Sequence, residues 1–148
     1  MGYRRILLAI DLSEDSHEIG RRAKELAETF GAELEILHVV EPLPLMVADA
    51  PEVMAPAVLQ TQDEIVRSAR ERVRELAREL GVPNDRATVE LGNTQAEIVR
   101  WARDRSADLI VLGSRERHGL SLLVDFTEDS VLHKAPCDVL AVRVRPAL

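Results

Sequence analysis

Two apolar runs near the C-terminal end of the chain constrain its fold most strongly. The first runs from Leu109 to Leu112 and contains no polar residue, and the second, Val139 to Val142, is the apolar part of a predicted last strand from Asp138 to Arg143. A strand that is apolar at every position is typical of a parallel sheet covered by helices on both faces. Gly113 and Ser114 follow the first run directly, where the carboxyl end of a strand meets a ligand crevice in an open α/β sheet.

The rest of the sequence predicts three more strands and four intervening helices. Largely apolar stretches predict strands at residues 6–10 and 34–40, and an alternation of apolar and polar residues predicts one at 87–91. Ser13 is the predicted N-cap of the first helix and Gly31 its C-terminal stop, while the spacing of Thr94 and Glu97 predicts a capping box for the third helix. The second and fourth helices are predicted at about residues 61–80 and 120–133. Five strands alternating with four helices predict a single α/β domain over residues 1–148, with a parallel sheet and right-handed crossovers.

Residues 41–60 interrupt this alternation. Four of the seven prolines of the chain fall in this stretch, together with several large apolar residues. A long loop within a compact domain is usually functional or disordered, and this one is too apolar to be simply solvated. We expect it either to cover a crevice or to contribute to a subunit interface.

The composition excludes several classes of function. The 19 basic and 26 acidic residues give a formal net charge of −7, which argues against a nucleic-acid partner. Acidic and basic residues are interleaved along the helices, which favours solvated faces over a binding patch. The single cysteine, Cys137, cannot form an internal disulfide. With no signal peptide and no apolar run long enough to span a membrane, we expect a cytoplasmic protein with no membrane association.

Four passages of the chain carry a family resemblance: RRILLAIDLSEDS at residues 4–16, AELEILHVVEP at 32–42, LGNTQAEIVRWARDRSADLIVLGS at 91–114, and VLHKAPCDVLAVRV at 131–144. With these the chain resembles the universal stress protein family over nearly its whole length, and in particular the branch typified by universal stress protein A. The resemblance implies a five-stranded parallel sheet sandwiched by four helices. Its strand order would be 3-2-1-4-5, as in flavodoxin-like and adenine nucleotide alpha hydrolase-like folds. It also implies a homodimer formed through the last strand and a non-enzymatic role in the stress response.

The loop after the fourth strand departs from the pattern of ATP-binding members, which carry Gly-x2-Gly-x9-Gly followed by Ser or Thr. With Gly113 as the first glycine, Glu116 and Phe126 stand at the other two glycine positions and Thr127 at the hydroxyl position. Glycine there lets backbone N–H groups approach a phosphate without a Cβ in the way. Carboxylates near the loop oppose a triphosphate, although Arg115 and Arg117 offset part of this effect. The sequence therefore predicts a degenerate nucleotide loop and disfavours tight binding of MgATP.

The resemblance points to six nucleotide-binding candidates: Asp11, Val39, Val40, Gly113, Arg115 and Thr127. Asp11 would lie near a ribose or a metal ion, but a turn residue whose side chain caps the following helix is an equal alternative. Val39 and Val40 would line an adenine pocket, and packing against a helix explains them at least as well. Gly113 would support a phosphate contact, or would serve a tight strand-to-helix turn.

No metal site and no catalytic residue are predicted. The four histidines have no metal-ligand spacing with Cys137, and no Ser-His-Asp arrangement or paired carboxylates stand out. The leading hypothesis is a non-enzymatic, dimeric stress-response protein with unknown protein partners. The alternative is a regulatory switch that binds ATP, ADP or AMP, with or without Mg²⁺. An ATP-hydrolysing or self-phosphorylating enzyme ranks last.

Overall fold

The computed structural model describes residues 2–43, 51–115 and 130–144. In chain order its elements are β1 (Arg5–Ala9), α1 (Ser16–Phe30), β2 (Glu33–Val40), α2 (Pro51–Leu80), a 3₁₀ turn (Asn84–Arg86), β3 (Ala87–Leu91), α3 (Thr94–Asp104), β4 (Leu109–Arg115) and β5 (Asp138–Val144). Residues 130–134, which precede β5, are also helical and belong to the fourth predicted helix, here α4. No helix within the described residues is long and apolar enough to cross a bilayer.

The five strands form one parallel sheet in the order β3-β2-β1-β4-β5, as the family resemblance implies. Leu8 in the central strand β1 pairs with Ile36 of β2 on one side and with Val111 of β4 on the other. The chain moves outward from β1 through β2 to β3, and then crosses back to β4 and β5. The carboxyl ends of β1 and β4 therefore flank the topological switch point, where open α/β sheets bind their ligands.

Helices cover both faces of the sheet, which explains the uninterrupted apolar runs. Ile6 and Leu8 of β1 point into one core, formed with α1 and α2, while Leu7 and Ala9 point into a second core, formed with α3 and α4. Successive residues of a strand point to opposite faces, so a strand buried on both sides has no solvent-facing position. Trp101 is 8% exposed and lies in the second core.

Three predicted boundaries are wrong. Helix α2 begins at Pro51, so residues 51–60 are helical and not part of a long loop. Proline at the first helical position has the backbone angle that a helix needs and lacks only an N–H that would be unpaired there, so Pro51 is compatible with a helix start. Helix α1 begins at Ser16, so Ser13 is not its N-cap, and α3 is capped by Asn93, whose Oδ1 accepts from Ala96 N–H, rather than by Thr94.

Gly113 is a strand residue and not the start of a loop. It pairs with Val142 of β5, and β4 continues to Arg115. A Cβ at residue 113 would lie 2.4 Å from Cδ1 of Ile19, which is itself 4% exposed at the start of α1. The absence of a side chain at Gly113 lets α1 pack closely on β4. This close packing explains the glycine, and no tight turn is needed.

We expect Gly113→Ala to destabilise the protein by about 1–2 kcal/mol, because the new methyl group overpacks the core against Ile19. Ile19→Val removes the clashing Cδ1 atom and should alone cost about 0.5–1.5 kcal/mol. The double variant should be less destabilised than the sum of the two, by about 1 kcal/mol. Urea denaturation of the four proteins measures this coupling, and strictly additive free energies of unfolding would show that Ile19 does not limit residue 113.

Candidate functional site

The candidate site lies at the carboxyl edge of the sheet, in the segment that joins β1 to α1. Ile10 continues β1 by one residue, because its N–H donates to the carbonyl of Leu37 at 3.0 Å. Asp11 follows and is exposed, while Leu12 is buried and has a φ of +59°. The left-handed region costs a residue with a side chain roughly 1–2 kcal/mol. Such conformations persist where the surrounding structure holds them, and they cluster at functional sites.

Two side chains from other elements hold this segment. Arg72 of α2 donates a hydrogen bond from its guanidinium to the carbonyl of Leu12. His38 of β2 donates from Nδ1 to the carbonyl of Ile10 at 2.7 Å. The backbone on each side of Asp11 is therefore fixed by contacts from two neighbouring elements, so the position of its carboxylate is determined by the fold.

Asp11 serves the turn and is also open to solvent. Its Oδ1 accepts a hydrogen bond from Ser13 N–H at 2.9 Å, which is the geometry of a turn stabilised by an aspartate side chain. Asp11 is therefore a turn residue, as one of the two interpretations predicts, but the N-cap residue of α1 is Asp15 and not Asp11. Because the same side chain is exposed at the switch point, this bond leaves the ligand-binding interpretation open.

Two serine hydroxyls near Asp11 are buried without a hydrogen-bond partner among the described residues. They are Oγ of Ser13, in the turn, and Oγ of Ser16, at the first residue of α1. Ser16 is only 4% exposed. A buried polar group without a partner costs roughly 1–3 kcal/mol, so these two hydroxyls need a partner from outside the described contacts.

The two valines of β2 are packing residues. Val39 and Val40 are each 8% exposed, Val39 in the core formed with α3 and Val40 in the core formed with α1 and α2. Neighbouring strand residues point to opposite faces, so these two side chains do not line one pocket together. Their predicted packing role accounts for both.

The structure brings Asp11 and Gly113 to the same edge of the sheet, since β1 and β4 are paired neighbours. Gly113 is occupied in packing with Ile19, as described above. Arg115 is the last residue of β4, and its side chain lies outside the described residues. Thr127 also lies outside them, as do Glu116, Arg117 and Phe126.

Sequence reasoning missed three residues of this site: Ser16, His38 and Arg72. The sequence predicts Ser13 as the helix N-cap and therefore assigns no role to Ser16, which is the first residue of α1. His38 was considered only as a metal ligand, and within the described residues no group of His, Cys, Asp or Glu is arranged to hold a metal ion. Arg72 resembles the other charged residues of α2, and only the packing of α2 against the β1–α1 segment singles it out.

The parallel sheet, its strand order and its switch point define an α/β protein with a nucleotide-binding-like fold. The universal stress protein family model matches residues 2–143, and the chain belongs to this family. Universal stress protein A homolog 2 of Coxiella burnetii is 35% identical over 144 residues, covering 97% of each chain. Universal stress protein A homolog 1 of the same bacterium is 37% identical over 142 residues, covering 96% of this chain and 97% of its own.

Solved structures share the fold. Universal stress protein UspA from Lactobacillus plantarum aligns with a TM-score of 0.67 at 23% identity, covering 97% of this chain and 99% of its own. A universal stress protein in complex with cAMP aligns at 0.56 and 22% identity, with coverages of 96% and 98%. The universal stress protein of Archaeoglobus fulgidus in complex with dAMP aligns at 0.55 and 20% identity, with coverages of 98% and 100%. The predicted family and fold class are confirmed.

Protonation of His38 should destabilise the protein below neutral pH. Burial lowers the pKa of His38 from its ordinary value of 6.5, and the bond to the Ile10 carbonyl and the charge of Asp11 oppose this only in part. As the pH falls below 6.5, the unfolded chain therefore binds the proton before the folded protein does, and the free energy of unfolding decreases. Above that value both states are neutral and this contribution to the pH dependence vanishes.

Urea denaturation at several pH values between 7.5 and 5 measures how steeply the free energy of unfolding falls with pH. His38→Gln keeps a side-chain N–H donor but cannot titrate. The difference in pH dependence between wild type and variant is therefore the contribution of His38 to the free energy of unfolding. Equal slopes in the two proteins would assign the pH dependence to other groups.

Proposed function

We propose that this chain is a non-enzymatic regulator of the stress response that binds an adenine nucleotide at the carboxyl edge of β1 and β4. The observation that carries the proposal is the exposed carboxylate of Asp11 at the switch point, in the same segment as the buried hydroxyls of Ser13 and Ser16, which have no hydrogen-bond partner among the described residues. A ribose presents hydroxyl groups that both donate and accept, which suits a carboxylate and two serine hydroxyls. The fixed backbone around Asp11 lowers the cost of binding, because these groups are positioned in advance.

The preferred ligand in this proposal is a nucleoside monophosphate. The glycines that a triphosphate loop requires are replaced by Glu116 and Phe126 in this sequence. The nucleotides named in two of the related structures, cAMP and dAMP, carry a single phosphate. A monophosphate places less negative charge against the carboxylates of the loop, so it suffers less from the missing glycines than ATP does.

A second candidate is a stress-response protein that works through protein partners without any nucleotide. The departures at Glu116 and Phe126 favour it, since they weaken the phosphate-binding loop as a whole. In both candidates the protein is a homodimer assembled through β5. This strand lies at the edge of the sheet, and Ala141 and Arg143 are exposed there while Val142 is 4% exposed in the core.

Ser16→Ala should change the stability of the protein and its affinity for nucleotide in opposite directions. The variant removes a buried hydroxyl that has no partner within residues 2–43, 51–115 and 130–144, so we expect it to raise the free energy of unfolding of the nucleotide-free protein by about 1 kcal/mol. It should also weaken AMP binding about tenfold, because a contact worth roughly 1.4 kcal/mol is lost. Calorimetric titration with AMP and with MgATP, after removal of co-purified nucleotide, measures the second effect.

Ser68→Ala is the matched control, since Ser68 is exposed on α2, and it should change neither quantity. No heat with AMP or MgATP would reject the nucleotide proposal and favour the second candidate. A large loss of stability in Ser16→Ala would mean that the hydroxyl is bonded within the protein.

Ala141→Asp should convert the dimer to monomers in light scattering without unfolding the chain, because it places a charge on the exposed edge of β5. Val142→Asp is unsuitable for this test, since residue 142 is buried in the core and the charge would unfold the protein. Ala96→Asp, at an exposed position of α3, is the control and should remain dimeric. A dimeric Ala141→Asp variant would place the interface elsewhere.

A further inference from the structure

One side of helix α2 carries a row of four arginines. Arg67, Arg70, Arg74 and Arg78 follow each other at intervals of three, four and four residues, which places them on one face of a helix. All four are exposed, and none forms an ion pair or a side-chain hydrogen bond with another described residue. Like charges four residues apart destabilise a helix slightly, so this arginine row does not serve the stability of α2.

The two middle arginines of the row, Arg70 and Arg74, line a groove beside strand β3. Arg70 and Arg74 form one wall of this groove, and the other wall consists of Asn84 together with the first three residues of β3, Ala87, Thr88 and Val89. Its volume is about 380 Å³, within the range of ligand sites. The groove is therefore basic on the helix side and made of an edge strand on the other side.

The outer edge of β3 offers unpaired backbone groups to this groove. Gly92 N–H donates to the carbonyl of Val40 in β2 at 3.0 Å, so the backbone groups of residues 90 and 92 face β2. Residues along a strand alternate in direction, and the backbone groups of Val89 and Leu91 consequently face away from the sheet. No described strand lies on that side, because β3 ends the sheet.

We infer that this edge is a docking site for an extended acidic segment of another protein, which would add a strand to β3. Backbone groups of the segment would bond to those of Val89 and Leu91, as in other cases of strand addition. Alternate residues of an extended chain lie about 6.6 Å apart. Residues four apart on a helix are separated by about 6 Å along its axis, so carboxylates at alternate positions of the segment match Arg70 and Arg74. Two guanidinium groups without acidic partners in a chain of net charge −7 supply the charge complementarity.

A second copy of this chain does not fit the same edge. Antiparallel pairing of two β3 strands about a two-fold axis would bring the two α2 helices side by side on one face of the joined sheet. The arginine rows of both copies would then face each other, and like charges across an interface oppose association. Nucleic acids and anionic membranes are disfavoured by the overall negative charge and by a groove only one strand wide.

The test is fluorescence anisotropy with a labelled ten-residue peptide of alternating Glu and Thr. We expect the wild-type protein to bind it, and to bind a Lys/Thr peptide of the same length at least about tenfold more weakly. Arg70→Glu/Arg74→Glu should abolish binding of the acidic peptide. Arg21→Glu/Arg22→Glu is the matched control, because these two arginines are exposed on α1 and the change in net charge is identical. It should leave binding of the acidic peptide in place.

Two further measurements test the strand geometry. The same acidic peptide with alternate backbone nitrogens methylated cannot complete a strand pair, and it should lose binding. Hydrogen exchange should show that the amides of Val89 and Leu91 become protected when the unmodified peptide binds. The inference is overturned if the charge-reversed control weakens binding as much as Arg70→Glu/Arg74→Glu does, or if the methylated peptide binds equally well. Full competition by millimolar inorganic phosphate would also overturn it, since the groove would then be an anion site and not a peptide site.

Discussion

The burial of the central strands on both faces is the constraint on which the rest of the structure depends. Every residue from Ile6 to Ile10 is less than 9% exposed, and Ile110 and Val111 are fully buried. Such strands leave no position for a polar side chain within the sheet, because a buried polar group without a partner is costly. Functional groups are therefore confined to the ends of the strands and to the outer edges of the sheet. Both proposed sites, beside Asp11 and along β3, lie there.

The segment after β1 illustrates how the fold creates a site at a strand end. Leu12 has an unfavourable backbone conformation, and Arg72 from α2 bonds to its carbonyl. His38 from β2 bonds to the carbonyl of Ile10, while Ile19 packs against Gly113 of β4. Four elements thus determine the geometry of a segment only a few residues long. A ligand at this edge would meet groups that are already in position, which reduces the entropy lost on binding.

Helix α2 carries a row of arginines on one side that is not apparent from the order of residues in the sequence. Along the chain, arginines and glutamates are interleaved, and this predicts a solvated face. On the helix each residue is rotated by about 100° from the previous one, so residues four apart share a side. Arg70, Arg74 and Arg78 consequently form one row, and Glu71, Glu75 and Glu79 form another beside it. Only the packing of α2 on the sheet reveals that Arg70 and Arg74 line a groove with the edge strand β3.

The sequence alone determined the parallel α/β fold, the positions of its strands and the family, because continuous apolar runs and helical periodicity record burial directly. It also located Asp11 just beyond the end of β1, whereas Gly113 lies within β4. It did not determine that residues 51–60 are helical, since local proline content outweighed a helical start at Pro51. Nor did it find the bonds of His38 and Arg72 to the β1–α1 segment, which join residues 28 and 60 positions apart. Contacts between distant segments depend on how helices and strands pack, and no pattern within one segment records them.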